Sequence, residues 1–530
     1  MKTLFQPAEG SGHGSAHAYR CVLAVGSILL AGCAAGPDYH RPAVSAAESY
    51  APAPLPSATA ATEGEAGSEQ TFSPARDISA QWWTLFQSPE LNTLIQRAYA
   101  ANPTIEAALA TLKQAQENVY AQRGFYFPTI QTTYNRQYSK LSGNTASASQ
   151  PGIQGNGENI TQSGPAEPLT YTFHTAQLTV GFTPDVFGGN RRQVESLQAQ
   201  ADAARYQLEA AYVTLASNVV AAAIQEASDR AQIAAARAIV DANTRLLEIV
   251  REQVRLGSAT GLDLAAQESA LAQARQLLPS LEKQLEQTRD LLRVLAGDAP
   301  DHDLPEAFGL ASLHLPEELP LTLPSRLIAQ RPDVLAAEEQ MHAASAQVGV
   351  AVANRLPQFA ITANAGGNAA HLSQMFWGSG TFWDLTGNIS QTLFAGGSLR
   401  HHQLAAEQAL VQAAAQYRGT VLTAFQNVAD TLHALYADAD ALKAAAAAER
   451  AATQSLAITR KQCELGSIPY TAVLTAEQTD QQARLGLIQA QAARLTDTAA
   501  LFQALGGGWW NRQLSAPDQP APPPGRSAGK

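Results

Sequence analysis

The chain has 530 residues, a formal net charge of -11 and 15% charged side chains. A length like this suggests several globular domains, but the 45% apolar content leans on alanine and includes only 7% aromatics, which favours long, closely packed helices over thick cores. The acidic balance and the lack of a Lys/Arg cluster exclude nucleic acid as a partner, and with Cys21 and Cys33 both near the N-terminus, Cys463 alone cannot build a disulfide framework.

Residues 21–31 form an apolar run behind Lys2 and Arg20, the layout of a secretory signal. The run is too short for a bilayer span, which takes roughly 20 residues. It ends in Leu30-Ala31-Gly32-Cys33, and small residues before a cysteine resemble a bacterial lipobox. That resemblance implies removal of a signal peptide, 1–32, and acylation of Cys33 by diacylglycerol and fatty acid. Ala34 follows, instead of the aspartate that retains many lipoproteins at the inner membrane, so the same resemblance implies delivery to the outer membrane. The next stretch, to about residue 75, is rich in Ala, Pro, Ser and Glu without periodicity; 33–80 is expected to be an acylated N-terminus and extended tether.

Beyond the tether the chain is written twice. Pro103 and Pro128 bracket one helical pattern, and Pro332 and Pro357 bracket another at the same spacing. Proline suits a first helical turn and stops a helix at its end. Phe187-Gly188-Gly189-Asn190-Arg191 and Phe394-Ala395-Gly396-Gly397-Ser398 each open a long helical stretch, which closes at Leu256-Gly257-Ser258 in the first half and Leu465-Gly466-Ser467 in the second. These landmarks, in one order at near-equal spacing, indicate internal duplication. The expected layout is a first repeat over 81–300, an equatorial connector over 301–325, a second repeat over 326–508, and an equatorial end with a disordered tail over 509–530.

In the first long stretch Val194, Leu197, Ala201, Ala204, Leu208, Ala211, Leu215 and Val219 step by 3 and 4 with one extra 4, a heptad seam with a stutter. At about 1.5 Å per residue such a helix is on the order of 100 Å long. Recurring charges, among them Arg192, Glu195, Asp202 and Asp229, keep it out of lipid.

No stretch after the signal supplies the roughly 20 uncharged apolar residues of a membrane helix, which leaves a closed β-barrel as the way to satisfy backbone in lipid. Each repeat offers two alternating strands: 129–138 and 171–182 in the first, then Phe359, Ile361 and Ala363 on one strand and Trp383, Leu385, Gly387, Ile389 and Leu393 on the other. The polar segment 139–169 is expected to be an outer loop, and the shorter second loop carries Met375, Phe376 and Trp377, at the lipid interface or in the mouth. Since membrane barrels need about eight strands, several copies must pool theirs.

LAGC (30–33) with GPDYHRP (36–42), QWWTLFQSPELNTLIQRAYAANP (81–103), LPLTLPSRLIAQRPDVLAAE (319–338) and the helix openings at Phe187 and Phe394 together resemble the TolC-like outer-membrane factors, in the lipoprotein branch (OprM-like, NodT type) that serves resistance-nodulation-division (RND) pumps. The resemblance implies an α+β, mainly α, membrane protein. Its homotrimer would close a twelve-stranded outer-membrane β-barrel, four strands per protomer, continued by a long periplasmic α-helical barrel with an equatorial domain. It implies the outer-membrane channel of a tripartite efflux pump that exports drugs or other small toxic compounds, and not an enzyme. The implied partners are a periplasmic adaptor, an inner-membrane pump and outer-membrane lipid, with no cofactor beyond the lipid on Cys33.

By position, the turns 255–263 and 464–473 are the expected adaptor-docking tips, with Leu256, Gly257, Ser258, Leu465, Gly466 and Ser467 at their centres. A glycine there ends a helix and frees its last carbonyls, and the serine offers a hydroxyl. Family members often carry aspartates after the second turn, but 467–475 has none and Glu477 is the next acid. Tyr470 is therefore the candidate pore constriction, with Asp263 as the candidate charge in the first half.

His401-His402 looks like a metal pair, yet adjacent helical residues point about 100° apart and no H-x-x-x-H spacing accompanies them. Gly506-Gly507-Gly508 precedes Trp509-Trp510 and reads as a helix end, and the tandem Trp82-Trp83 reads as core packing. Two other functions fit parts of the pattern: a duct for protein secretion by an ABC-type pump, and a trimeric coiled-coil surface fibre. The lipobox and GPDYHRP favour efflux over the first, and the duplicated strand pairs count against the second.

Overall fold

The computed structural model describes residues 35–42, 49–50, 56–73, 77–141 and 169–512. The signal run, Cys33, the segment 142–168 and the tail from 513 lie outside them. The chain packs into two compact units, the first drawn from residues 1–40, 116–199 and 342–411, the second from 41–115, 200–341 and 412–530.

The first unit is built on a four-stranded antiparallel sheet in the order β2-β3-β5-β6, with β2 at Thr129–Leu141, β3 at Leu169–Phe182, β5 at Gln358–Ala369 and β6 at Thr381–Ser390. The strands run further than expected into the outer loop, and β6 stops short of Leu393, which is 93% exposed. Register sorts the side chains. Ile130, Thr132 and Tyr134 face the partners Val180, Leu178 and Ala176, which continue to Ala363, Ala365 and Gly367 on β5, and Ala363 and Ala365 continue to Leu385 and Trp383 on β6. That face is apolar over most of its length and carries Arg136, His174 and Lys140 toward the loop end. The other carries Gln131, Thr133, Asn135, Gln177, Thr179, Asn364 and Asp384, joined in part by hydrogen bonds from Thr179 to Asn364 (2.7 Å) and from Asn364 to Asp384 (3.0 Å).

Exposed Phe125, Phe127 and Phe394 stand at the end of the sheet where helices attach, and Phe376 and Trp377 at the end with loops; Met375 is buried. Among the described residues β2 and β6 each pair along one side only.

Two helices of 67 residues follow the strand pairs, α3 at Gly189–Arg255 and α7 at Ser398–Glu464. Each turns back into a return helix, α4 at Gly261–Ala296 and α8 at Tyr470–Ala504. Within α3 one 18-residue window is apolar enough by composition to cross a membrane, but 67% of it is buried inside the protein, so its apolarity serves helix packing.

The seam in α3 is Leu208, Tyr212, Leu215, Val219 and Ala223; in α7 it is Tyr417, Val421, Ala424, Val428 and Leu432. Both step 4-3-4-4, so the stutter falls at the same point of each helix. Sequence pattern put Ala211 in this seam; it is partly buried against the same core, and its neighbour Tyr212 is the buried residue at that turn.

The second unit has the aromatic core. Helix α1 (Pro89–Ala101) starts at Ser88, whose hydroxyl accepts from Leu91 N–H at 3.3 Å, and it buries Leu91, Leu94, Ile95 and Ala98 at helical spacing. Helices α2 (Pro103–Arg123) and α6 (Pro332–Ala353) begin with the prolines read from the sequence, and α5 (Pro324–Gln330) likewise opens on a proline. Trp82, 1% exposed, stacks on Phe502 at 5.1 Å and meets Trp83 and Phe86 edge-on.

A short parallel pair, β1 (Thr71–Ser73) with β4 (Glu318–Pro320), ties the N-terminal segment to the connector. Trp82→Ala leaves a large void and is expected to cost about 3–5 kcal/mol of folding stability. Denaturant unfolding of the purified protein measures it, and a cost below about 1 kcal/mol would mean the ring does not hold this core.

Candidate functional site

The two tip turns are built alike. Gly257 at φ +78° and Gly466 at φ +72° take the left-handed conformation that ends a helix. Ser258 N–H donates to Gln253 O at 2.8 Å, and Ser467 N–H to Gln462 O at 3.0 Å. Each serine hydroxyl donates to that same carbonyl, at 3.1 and 2.7 Å, so the donor expected to meet a partner is engaged and the oxygen remains as an acceptor. Leu256 and Leu465 stand 65% and 73% exposed beside the glycines, and Leu262 is 74% exposed just beyond the first turn. The turns thus expose three large apolar side chains to solvent.

Asp263 does not stand as a loose charge. It accepts from the Thr260 N–H at 2.9 Å and hydroxyl at 2.7 Å, while Thr260 Oγ1 accepts from Asp263 N–H, a capping box that starts α4. The Thr260 backbone and hydroxyl bonds hold its carboxyl below the usual range, so it is ionised. Tyr470 donates to Gln267 Oε1 at 2.7 Å, and Gln267, fully buried, donates in turn to Asn243 O (2.9 Å) and Asn243 Oδ1 (3.1 Å). This chain links α8, α4 and α3, and burial pushes the Tyr470 hydroxyl well above its ordinary pKa. Arg460 pairs with Glu477 at 3.0 Å. Burial, then Asp263 and Glu464, push the Cys463 thiol up, away from reactivity. His401 and His402 are exposed, and no group of three or more His, Cys, Asp or Glu among the described residues has metal-ligand geometry.

The N-terminal segment, read as a tether, is held wherever it is described. Ala35 N–H donates to Phe187 O at 2.9 Å, and its carbonyl accepts from Arg192 Nε at 3.1 Å. Arg192, 4% exposed, also pairs with Asp38 at 2.7 Å and Glu195 at 2.8 Å. Tyr39 stacks on His342 at 4.3 Å, and His342 meets Glu195 at 3.1 Å. A Cβ on Gly36 would lie 2.4 Å from Gly349 Cα, so this contact needs glycine on both sides. In the second unit Arg494, fully buried, donates to Thr59 Oγ1 (2.9 Å) and Ser68 O (2.7 Å). Gln70 donates to Pro316 O and Thr498 Oγ1. Sequence reasoning missed these clasps: nothing local marked the distant partners Arg192 and Arg494.

An acid pair joins α7 and α8. Burial, then the hydrogen bond and charge of Asp497, push Asp438 up to about 7 from 3.8, and Arg494 opposes them in part. A carboxyl that holds its proton more tightly when folded adds stability at low pH and loses it as pH rises toward the folded value. Asp438→Asn is therefore expected to gain on the native protein as pH goes from about 4 to about 7 and to hold that gain above. Thermal midpoints across that range test it, and a difference independent of pH would refute the pairing.

A family model described as outer membrane efflux protein matches residues 94–298 and 323–507. The pyoverdine export outer membrane protein OpmQ of Pseudomonas aeruginosa is 29% identical over 461 residues, covering 86% of this chain and 93% of that protein. The toluene efflux pump outer membrane protein TtgC of Pseudomonas putida is 25% identical over 501 residues, covering 94% and 97%. Among solved structures, the outer-membrane channel OprN superposes with a TM-score of 0.77 at 23% identity over 90% of this chain and 100% of its own. The Campylobacter jejuni CmeC outer membrane channel gives 0.76 at 19%, over 90% and 95%.

The fold is that of outer-membrane channel proteins, not of enzymes. The chain belongs to the outer membrane efflux protein family, as an outer-membrane factor of RND efflux systems and the outer-membrane channel of an efflux pump.

Proposed function

We propose that three copies of this chain close a twelve-stranded barrel in the outer membrane, continued by a helical barrel in the periplasm, and conduct drugs or other small toxic compounds outward from an inner-membrane pump. The observation that carries this is the sheet: one apolar face, one polar face and, among the described residues, two open edges. In lipid an open edge leaves several unpaired backbone groups, each costing several kcal/mol, and joining β6 of one copy to β2 of the next removes every edge. The polar face then lines water and the apolar face meets hydrocarbon.

The recurrence of element order, helix length and stutter in the two halves supports a duplicated architecture, and the names of the relatives support small-molecule cargo. The exposed leucines at the two glycine turns suit an adaptor's helical hairpin. Tyr470, beside the second turn, is the constriction candidate, with Asp263 supplying charge near the first. Cys33 carries the lipid. Ala35 lies two residues on, within about 7 Å of it along the chain, and is bonded to Phe187 beside the strand ends, which suits acyl chains entering the adjacent leaflet.

Purified mature protein in planar bilayers is expected to open discrete, trimer-sized conductances, and Tyr470→Ala to raise them. A protein that inserts without conducting ends the proposal, and unchanged conductance in the variant removes Tyr470 as the constriction. Cys33→Ser is expected to abolish metabolic labelling with palmitate; persistent label would contradict acylation at that residue.

A further inference from the structure

We propose that Arg136, Lys140 and His174 form a binding site for the phosphate groups of a glycolipid in the outer leaflet of the outer membrane. The proposal rests on the barrel reading above, which decides that the apolar sheet face meets lipid. Among the described residues of β2, β3, β5 and β6, these three are the basic side chains, and all lie on the apolar face. Arg136 is the register partner of His174, and Lys140, two positions beyond Tyr138, is the partner of Thr170. The carboxylate of these strands, Asp384, lies on the polar face beside Asn364. Basic groups on the lipid side and the acid on the water side is the reverse of chance scatter on a surface where every charge is costly.

Height along the barrel explains why they are tolerated. Phe127 marks the helix end of the sheet, 71% exposed. At about 3.4 Å per residue Arg136 lies roughly 30 Å further along the strand, and a strand tilt near 40° makes that a rise of about 23 Å, close to the ~25 Å apolar band of membrane barrels. Arg136 thus reaches the far boundary of the hydrocarbon, flanked on its own face by Tyr134 and Tyr138, which are 58% and 73% exposed in the manner of an interfacial aromatic girdle. The Tyr134 hydroxyl meets His174 Nδ1 at 2.8 Å and the two rings stack at 6.1 Å, which fixes the imidazole beside the arginine's register position.

A guanidinium at that depth has a fork suited to bidentate phosphate. Lys140 stands about 14 Å further out along the strand as a second point charge. Two cations separated along the membrane normal and in the plane fit a disaccharide lipid with a phosphate at each end better than a headgroup with one phosphate. No carboxylate of the four strands shares their face to neutralise them.

The test uses the mature, acylated, full-length protein, delipidated in detergent and titrated by native mass spectrometry with bisphosphorylated lipid A, dephosphorylated lipid A, phosphatidylglycerol and inorganic phosphate. Bisphosphorylated lipid A is expected to bind tightest, and R136Q/K140Q to weaken it by about 25-fold, at roughly fivefold per cation near an anionic surface, while R136K retains most of the affinity. Equal binding of phosphorylated and dephosphorylated lipid A overturns the proposal, as does unchanged binding in a double variant that still conducts. Phosphatidylglycerol or free phosphate binding as tightly as lipid A overturns the choice of a glycolipid. If the double variant does not assemble, the comparison of the two lipid A forms on the native protein decides. A native protein that neither oligomerises nor conducts signals failure of the barrel reading instead.

Discussion

The demand that every backbone donor and acceptor be satisfied where water is absent governs this molecule. Four strands per chain pair three times internally and leave two edges open among the described residues. In water an open edge is a modest liability; in hydrocarbon it is prohibitive. In the proposed membrane setting one copy is therefore not enough, and hydrogen bonding calls for strands from further copies of the chain. The alternation of Ile130, Tyr134 and Leu178 with Gln131, Asn135 and Gln177 gives the sheet one largely apolar and one polar face, which the proposed barrel turns to lipid and to water.

The long helices meet a different constraint, that of staying wet and still packing. Small seam residues such as Ala223 and Ala424 let helices approach closely, while Tyr212 and Tyr417 fill the wider grooves. The shared 4-3-4-4 step in α3 and α7 sets where coiling relaxes in both halves at once. Buried charge in this region is neutralised locally: Glu226, fully buried, pairs with Arg230 at 2.7 Å and Arg289 at 3.2 Å and accepts the Phe308 N–H. Removing one partner of such a cluster is costly, although the cluster as a whole adds little net stability.

Much of this was legible from spacing. Pro103, Pro332 and the two Leu-Gly-Ser turns announce helix starts and stops through backbone chemistry that is local, so the sequence carries them directly. The strands at 129 and 171 were visible by alternation, and their true ends were not, because Ser139 and Lys140 belong to a ladder that pays no heed to loop-like composition. Docking of the N-terminal segment was invisible for the opposite reason. Its order comes from Arg192 and Arg494, far away in sequence, and a segment without periodicity gives no sign of the side chains that hold it. At the tips the turns were found, while the inward bonds of Ser258 and Ser467 and the Tyr470–Gln267 link needed coordinates.

That clasped segment gives the chain a mechanical logic. Ala35 and Asp38 sit on the helix that leaves the sheet, through an arginine that is 4% exposed and paired with two carboxylates, and Tyr39 stacks on His342 of α6. Further on, Thr59, Ser68 and Gln70 are fastened to α8 by Arg494 and Thr498, and β1 pairs with β4 in the connector. Guanidinium groups suit this work because one planar fork satisfies several carbonyl and hydroxyl acceptors without needing a counter-charge at each. Bonded at intervals, the described part of the segment from Ala35 onward is held against the helix beside the sheet and against α8.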